Sequence, residues 1–187
     1  MKKLIFTIAF FTVCVTANAQ INQDTVGLNL PIMDGRVIYT GVIDVAGKTK
    51  DDLFRNAQQW LIEAFYNQKD VIQNKDKEDG LVIGQGILNF SSSAGLSAVN
   101  WANHVTIKIE CKDSKYRYSF YNIVNTSDVF GPASYDIEQV LGFILGAQKW
   151  PLTKNAAKSM LKRNDEVVKN VILSLENAMA KTTTTDF

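Results

Sequence analysis

The chain has 187 residues, 46% of them hydrophobic, with 20 Lys or Arg against 19 Asp or Glu. That length and composition suit one domain with a real core. A chain so close to neutral has no electrostatic reason to seek nucleic acid or an anionic membrane surface.

The N-terminus reads as a secretory signal peptide over residues 1–19. Met1-Lys2-Lys3 is a short basic start, Leu4 to Val15 is an apolar run, and Ala17-Asn18-Ala19 is a small-x-small site. The pattern places cleavage between Ala19 and Gln20. The run is shorter than the roughly 20 apolar residues a membrane-spanning helix needs, and no later segment is long enough to cross. The expectation is an exported protein, periplasmic or secreted, working away from ATP and nicotinamide pools. Cleavage would leave 168 residues, with 18 basic against 19 acidic, a net of −1 where the whole chain carries +1. It would also remove Cys14, so Cys111 would stand alone and no internal disulfide could form. Val13 before Cys14 disfavours a lipoprotein site, which wants a small residue there.

Residues 20–35 read as an N-terminal arm. Val37 to Val45 is rich in β-branched residues and has strand character. Thr49 followed by Asp52 makes a capping-box start to a helix, and Asp51 and Asp52 carry the sign that the helix dipole favours there. Leu53, Ala57, Trp60, Leu61, Ala64 and Phe65 recur at helical spacing. Asn74 to Gly80 reads as a charged turn, Gly80 to Phe90 as a strand, and Ser91 to Ser97 as a loop.

The next two strands specify their own register. In Asn103 to Lys112, Val105, Ile107, Ile109 and Cys111 point one way, and His104, Thr106, Lys108 and Glu110 the other. A turn at Asp113-Ser114 pairs Cys111 with Tyr116, Ile109 with Tyr118 and Ile107 with Phe120. It sets Glu110 opposite Arg117 and Lys108 opposite Ser119. A slip of one residue would drive Arg117 into the core, so the pairing is strongly specified.

Gly131-Pro132 breaks the sheet. Ser134 is positioned to cap a short helix containing Val140, Leu141, Ile144 and Leu145, which Trp150-Pro151 ends. Thr153 to Lys181 is helical, with Leu161, Val168, Ile172, Leu175 and Met179 along one stripe. Asn164-Asp165-Glu166 looks like a fresh N-cap, so one bent helix or two consecutive ones both fit. Residues 182–187 read as a disordered tail.

This order predicts an α+β fold: a curved antiparallel sheet of four to five strands with helices on one face, plus a C-terminal helical segment. Three stretches also resemble a family of exported bacterial proteins designated only as a domain of unknown function with a TBP-like fold. They are Val45 to Leu53 with Ala57 and Trp60-Leu61, then Gly80 to Gly86, then the strand pair containing Ile107-Lys108-Ile109 and Tyr116-Arg117-Tyr118. The resemblance covers about residues 36–124. Ser114 stands where the family usually turns with Gly. The resemblance implies the TBP-like fold and an exported setting, and it implies no activity. With it, the chain divides into an α+β domain over 36–130 and a helical region over 131–181 packing on the sheet.

Catalytic chemistry finds little to use. A Ser–His pair would have to combine His104 with Ser91, Ser92 or Ser93, and no G-x-S-x-G elbow is present. His104 and Cys111 should face opposite sides of one strand, so no zinc site and no other metal site is expected. Asp76-Lys77-Glu78-Asp79-Gly80 lacks EF-hand spacing. Gly84-x-Gly86 lies in a strand with no helix after it, so it marks a bulge or the close approach of another element rather than a cofactor phosphate site, and the Trp60 helix is a candidate neighbour. Tyr116, Tyr118 and Phe120 should be core, which removes an RNA-stacking platform. No catalytic residue and no cofactor is expected.

The expectation is a non-enzymatic envelope module that binds an unknown protein or ligand through the sheet's open face. The candidate binding residues are His104, Lys108, Glu110, Arg117 and Tyr121. The alternatives are a carboxylate-dependent hydrolase and a carrier of a hydrophobic ligand or lipid, the latter suggested by Val140 to Leu145 beside Trp150.

Overall fold

The computed structural model describes residues 27–181, apart from 67, 128, 130–132, 148, 150 and 152. The expected signal peptide, Gly131-Pro132, Trp150 and the expected tail at 182–187 lie outside the described residues. Among the described residues eight strands and three helices follow in the order β1 (Ile32–Met33), β2 (Arg36–Val37), β3 (Tyr39–Asp44), α1 (Lys50–Ala64), β4 (Ile72–Asp76), β5 (Leu81–Ala94), β6 (Ser97–Lys112), β7 (Lys115–Ser127), β8 (Ser134–Asp136), α2 (Ile137–Ile144) and α3 (Lys154–Ala180). The main sheet is antiparallel, six-stranded, in the order β3-β7-β6-β5-β4, with β8 also pairing β7.

The β6–β7 register is the expected one. Cys111 faces Tyr116, Ile109 faces Tyr118, Ile107 faces Phe120, and Glu110 faces Arg117. Ile107, Ile109 and Phe120 are fully buried. Each such side chain stabilises the fold by roughly 1.5–3 kcal/mol relative to exposure, so this pair of strands is the spine of the core. Past Thr106 the ladder shifts. Thr106 pairs Tyr121 but His104 pairs Val124, so β7 carries a bulge there, with Asn122 at φ 51°. Asn tolerates that left-handed conformation better than most residues.

Helix α1 starts as its sequence dictates. Thr49 Oγ1 accepts from Asp52 N at 3.1 Å, and Thr49 N donates back to Asp52 Oδ2 at 3.4 Å. Leu53, Ala57, Trp60 and Leu61 are buried, as is Phe65 just past the helix, while Ala64 is exposed. A Cβ on Gly84 would lie 2.9 Å from Leu61, and one on Gly86 would lie 2.3 Å from Phe65. The two glycines therefore let the end of α1 rest on β5, as their position in a strand suggests. Helix α3 runs unbroken from its Thr153 cap, and its stripe of Leu161, Val168, Ile172, Leu175 and Met179 is buried. Asn164 starts no second helix. It is fully buried against the sheet. The two long helices lock together where Trp60 Nε1 donates to Ser174 Oγ at 2.9 Å and Asn56 Nδ2 donates to Lys181 O at 3.1 Å.

Four local expectations need correction. Part of the charged turn is a strand, β4, whose Asn74, Lys75 and Asp76 pair with Ile83, Val82 and Leu81. The serine run is not a loop: Ser91, Ser92 and Ser93 continue β5 and pair Asn100, Val99 and Ala98 of β6. The turn is Gly95-Leu96 alone, with Gly95 at φ 70°. Ser134 does not cap α2. It opens strand β8, and Asp136 is the cap, its N–H donating to Gln139 Oε1 at 3.1 Å. The arm before residue 36 is also structured in part, since β1 pairs β2 and Leu30 is buried. With these additions the sheet has six strands rather than four or five.

Candidate functional site

The helices cover one face of the sheet and leave the other open. On that open face the predicted binding residues fall into two groups. At one end Glu110 is shared between two cations. Arg117 Nε and the terminal nitrogen Nη2 each donate to it at 2.8 Å, and Lys108 Nζ lies 3.2 Å away. The Arg117 guanidinium, helped by Lys108, holds the Glu110 carboxyl below the usual carboxylate range. These three groups satisfy one another, and their exposure keeps the network worth under about 1 kcal/mol.

At the other end His104 is exposed, and Tyr121 is half-buried opposite Thr106. His104, Thr106, Gln85 and Ile87 form the floor of a groove of about 490 Å³. Gln68, Lys69 and Asp70, from the segment joining α1 to β4, and Gln73 of β4 line one side, and Asn122 and Val124 at the β7 bulge line the other. The volume lies in the range of small-ligand sites. The lining is dominated by neutral amides, with Lys69 and Asp70 offsetting each other.

The groove opens onto an unusual strand edge. Strand β4 pairs β5 only as far as Gly84. Beyond it, Gln85 N donates to Val71 O at 2.8 Å. The side-chain amide of Gln68 then takes both main-chain groups of Ile87, accepting from its N–H at 2.9 Å and donating to its C=O at 2.9 Å. Gln68 thus stands in for one residue of a neighbouring strand. By alternation Asn89, Ser91 and Ser93 also aim their N–H and C=O outward, and among the described residues none has a strand partner on that side. From Gly80 to Ile107 the chain holds no Asp, Glu, Lys or Arg. That uncharged run was the available sequence signal for this edge. The loop-like composition of the serines masks it.

The catalytic alternatives find little support in the geometry. Ser92 is buried on the helix-covered side, where it accepts from Trp101 Nε1 at 3.0 Å, while His104 faces the open side. Ser91 shares the face of His104 but lies four residues beyond its partner Ile87, roughly 13 Å along the strand. Asp34, Asp136 and Glu138 do converge on a second hollow of about 500 Å³. Asp34 and Asp136 are exposed, and Glu138 Oε1 accepts from Val37 N at 2.8 Å, so no buried acid pair forms there. Among the described residues no three His, Cys, Asp or Glu side chains gather where they could hold a metal ion, and no helix is long and apolar enough to cross a membrane. Val140 and Ile144, the core of the carrier idea, are buried packing residues of α2.

An antiparallel sheet with helices on one face defines an α+β protein of TBP-like fold. Residues 39–126 match the family described as a domain of unknown function (DUF4468) with TBP-like fold. No curated protein matches the chain. Among solved structures it is similar to a DUF4468 family protein from Bacteroides ovatus, at 18% identity and a TM-score of 0.65, covering 84% of this chain and 94% of that one. It is also similar to a TBP-like protein from Parabacteroides distasonis, at 16% identity and a TM-score of 0.66, covering 82% of this chain and 98% of that one. At such identities the likeness is one of fold, and it covers more of the chain than the family match does.

Proposed function

We propose that this chain is an exported, non-enzymatic binding module of the cell envelope that holds an extended, uncharged peptide segment along the outer edge of β5, beside the His104 groove. The observation that carries the reading is the edge at Asn89, Ser91 and Ser93, which has no strand partner among the described residues. Natural sheets blunt such edges with charge or proline, and this one has neither from Gly80 to Ile107. Outward main-chain groups repeating every second residue are complementary to another extended backbone. The Gln68 amide on Ile87 already provides one unit of that complement. The small neutral side chains beside the edge favour a segment without charge. His104 and Thr106 in the groove would select its side chains.

The exported setting rests on the N-terminal pattern, and N-terminal sequencing of the secreted product should begin at Gln20. The binding reading is tested by affinity capture from the native envelope. Asn89→Pro removes one outward N–H, and proline is tolerated on an edge strand. Asn89→Ala keeps that N–H. A partner retained by the wild type and Asn89→Ala, lost by Asn89→Pro and weakened by His104→Ala, supports the reading. Recovery of the same partners with Asn89→Pro, at an unchanged Tm, would refute it.

A further inference from the structure

Besides Ser92 and Ser127, the helix-covered face of the sheet buries polar side chains at one further spot. Asn103 of β6, Asn125 of β7 and Asn164 of α3 are each 0% exposed. Asn103 and Asn125 are direct cross-strand partners, which sets their Cβ atoms roughly 5 Å apart. Asn164 Nδ2 donates to Asn125 Oδ1 at 2.9 Å. The other side-chain groups find no protein partner among the described residues: Asn103 Nδ2 and Oδ1, Asn125 Nδ2 and Asn164 Oδ1. They amount to two amide donors and two carbonyl acceptors. Buried amides left unpaired are strongly destabilising, and folded proteins almost always satisfy them.

We infer that Asn103, Asn125 and Asn164 enclose a binding site for one internal water molecule that fastens α3 to the sheet. The chemistry matches group by group. A water accepts two hydrogen bonds, one from each free amide NH₂, and donates two, one to each free carbonyl. Internal waters typically make two to four such bonds. A charged ligand is unsuited, because the three amides are neutral and no charged side chain is among the buried residues of the core. Exchanging N and O on any one amide does not remove the need. Three amides hold three donor groups and three acceptors, and the Asn164–Asn125 bond uses one of each. Because the site is sealed between β6, β7 and α3, the water would leave only when α3 lifts. Its residence time would therefore measure α3 undocking.

Two experiments on the full chain test this. A crystal structure at about 1.5 Å or better should show a water within hydrogen-bond distance of at least three of the four free amide groups. Direct amide–amide contacts with no water between them would overturn the inference. In solution, water magnetic relaxation dispersion should count one more long-lived water in the wild type than in the Asn103→Val/Asn125→Val/Asn164→Leu variant. An equal count would likewise overturn it. If the triple variant does not fold, the crystal structure of the unsubstituted chain decides alone.

Discussion

Gly86→Ala adds one methyl group where the tertiary structure leaves no room. The new Cβ would stand 2.3 Å from Phe65 Cε1, 2.5 Å from Cζ and 2.7 Å from Cδ1. Carbon atoms in contact prefer about 3.5–4.0 Å, so the ring must move by more than about 1 Å. It has little space to do so. Phe65 is 2% exposed and sits edge-on to Trp60, ring centroids 6.0 Å apart. Overpacking of this kind costs typically 1–3 kcal/mol, and part of the burial of Phe65 is lost as well. We expect about 2–3 kcal/mol of destabilisation, a Tm lower by roughly 4–12 °C. The sign is informative. On an unobstructed strand the same change would stabilise by about 0.4–1 kcal/mol through the unfolded chain. Urea unfolding followed by far-UV circular dichroism measures the difference. Phe65→Leu should relieve the clash, so the double variant should be more stable than the sum of the single effects. Gly84→Ala should cost less, since its obstructions, the end of Leu61 at 2.9 Å and Val71 O at 3.1 Å, stand farther off than the Phe65 ring does from Gly86. A neutral or stabilising Gly86→Ala, or strict additivity with Phe65→Leu, would show that close approach of α1 is not what requires glycine here.

Ser114 turns the β6–β7 hairpin at φ 61° and contributes only main-chain hydrogen bonds, to Lys48 O at 2.8 Å and from Val45 N at 2.7 Å. Ser114→Gly keeps both bonds and removes the left-handed penalty, so denaturant titration should show a gain of about 0.5–1 kcal/mol. Burial pushes the Cys111 thiol up to about 12. It should therefore resist iodoacetamide at pH 8 in the native state and react fully once unfolded. For Glu110, whose pKa Arg117 holds down, the ion pair adds stability above the carboxylate's unfolded pKa, and that contribution is lost as pH falls through the lowered folded value. Arg117→Ala should cost under about 1 kcal/mol at pH 7, and the two proteins should converge in acid; a persistent difference there would mean that Arg117 acts through packing.

The parts of the fold legible in the sequence are those governed by local rules. The capping box at Thr49 and Asp52, the period-two alternation of β6 and the stripe of α3 are each written within a few residues of where they act. Gly84 and Gly86 were legible too, because glycine in a strand has few reasons to be there. Strand β4 was not. Its Asn74, Lys75 and Asp76 have turn composition, and they extend only because β5 offers them a ladder. The serine run extends for the same reason: its low β-propensity is overridden by pairing with β6 and by burial of Ser92 and Phe90.

The sequence by itself determined the fold class, the hairpin register and the open-face residues, because burial on one side of a strand constrains every second position. Only the tertiary structure decided which of those residues meet. It separated His104 from Glu110 and Arg117, and it set Gln68 on Ile87 across 19 positions. It gathered Asn103, Asn125 and Asn164 from three elements into one buried cluster. Such contacts depend on where helices cross a sheet, a property of packing that no local pattern encodes.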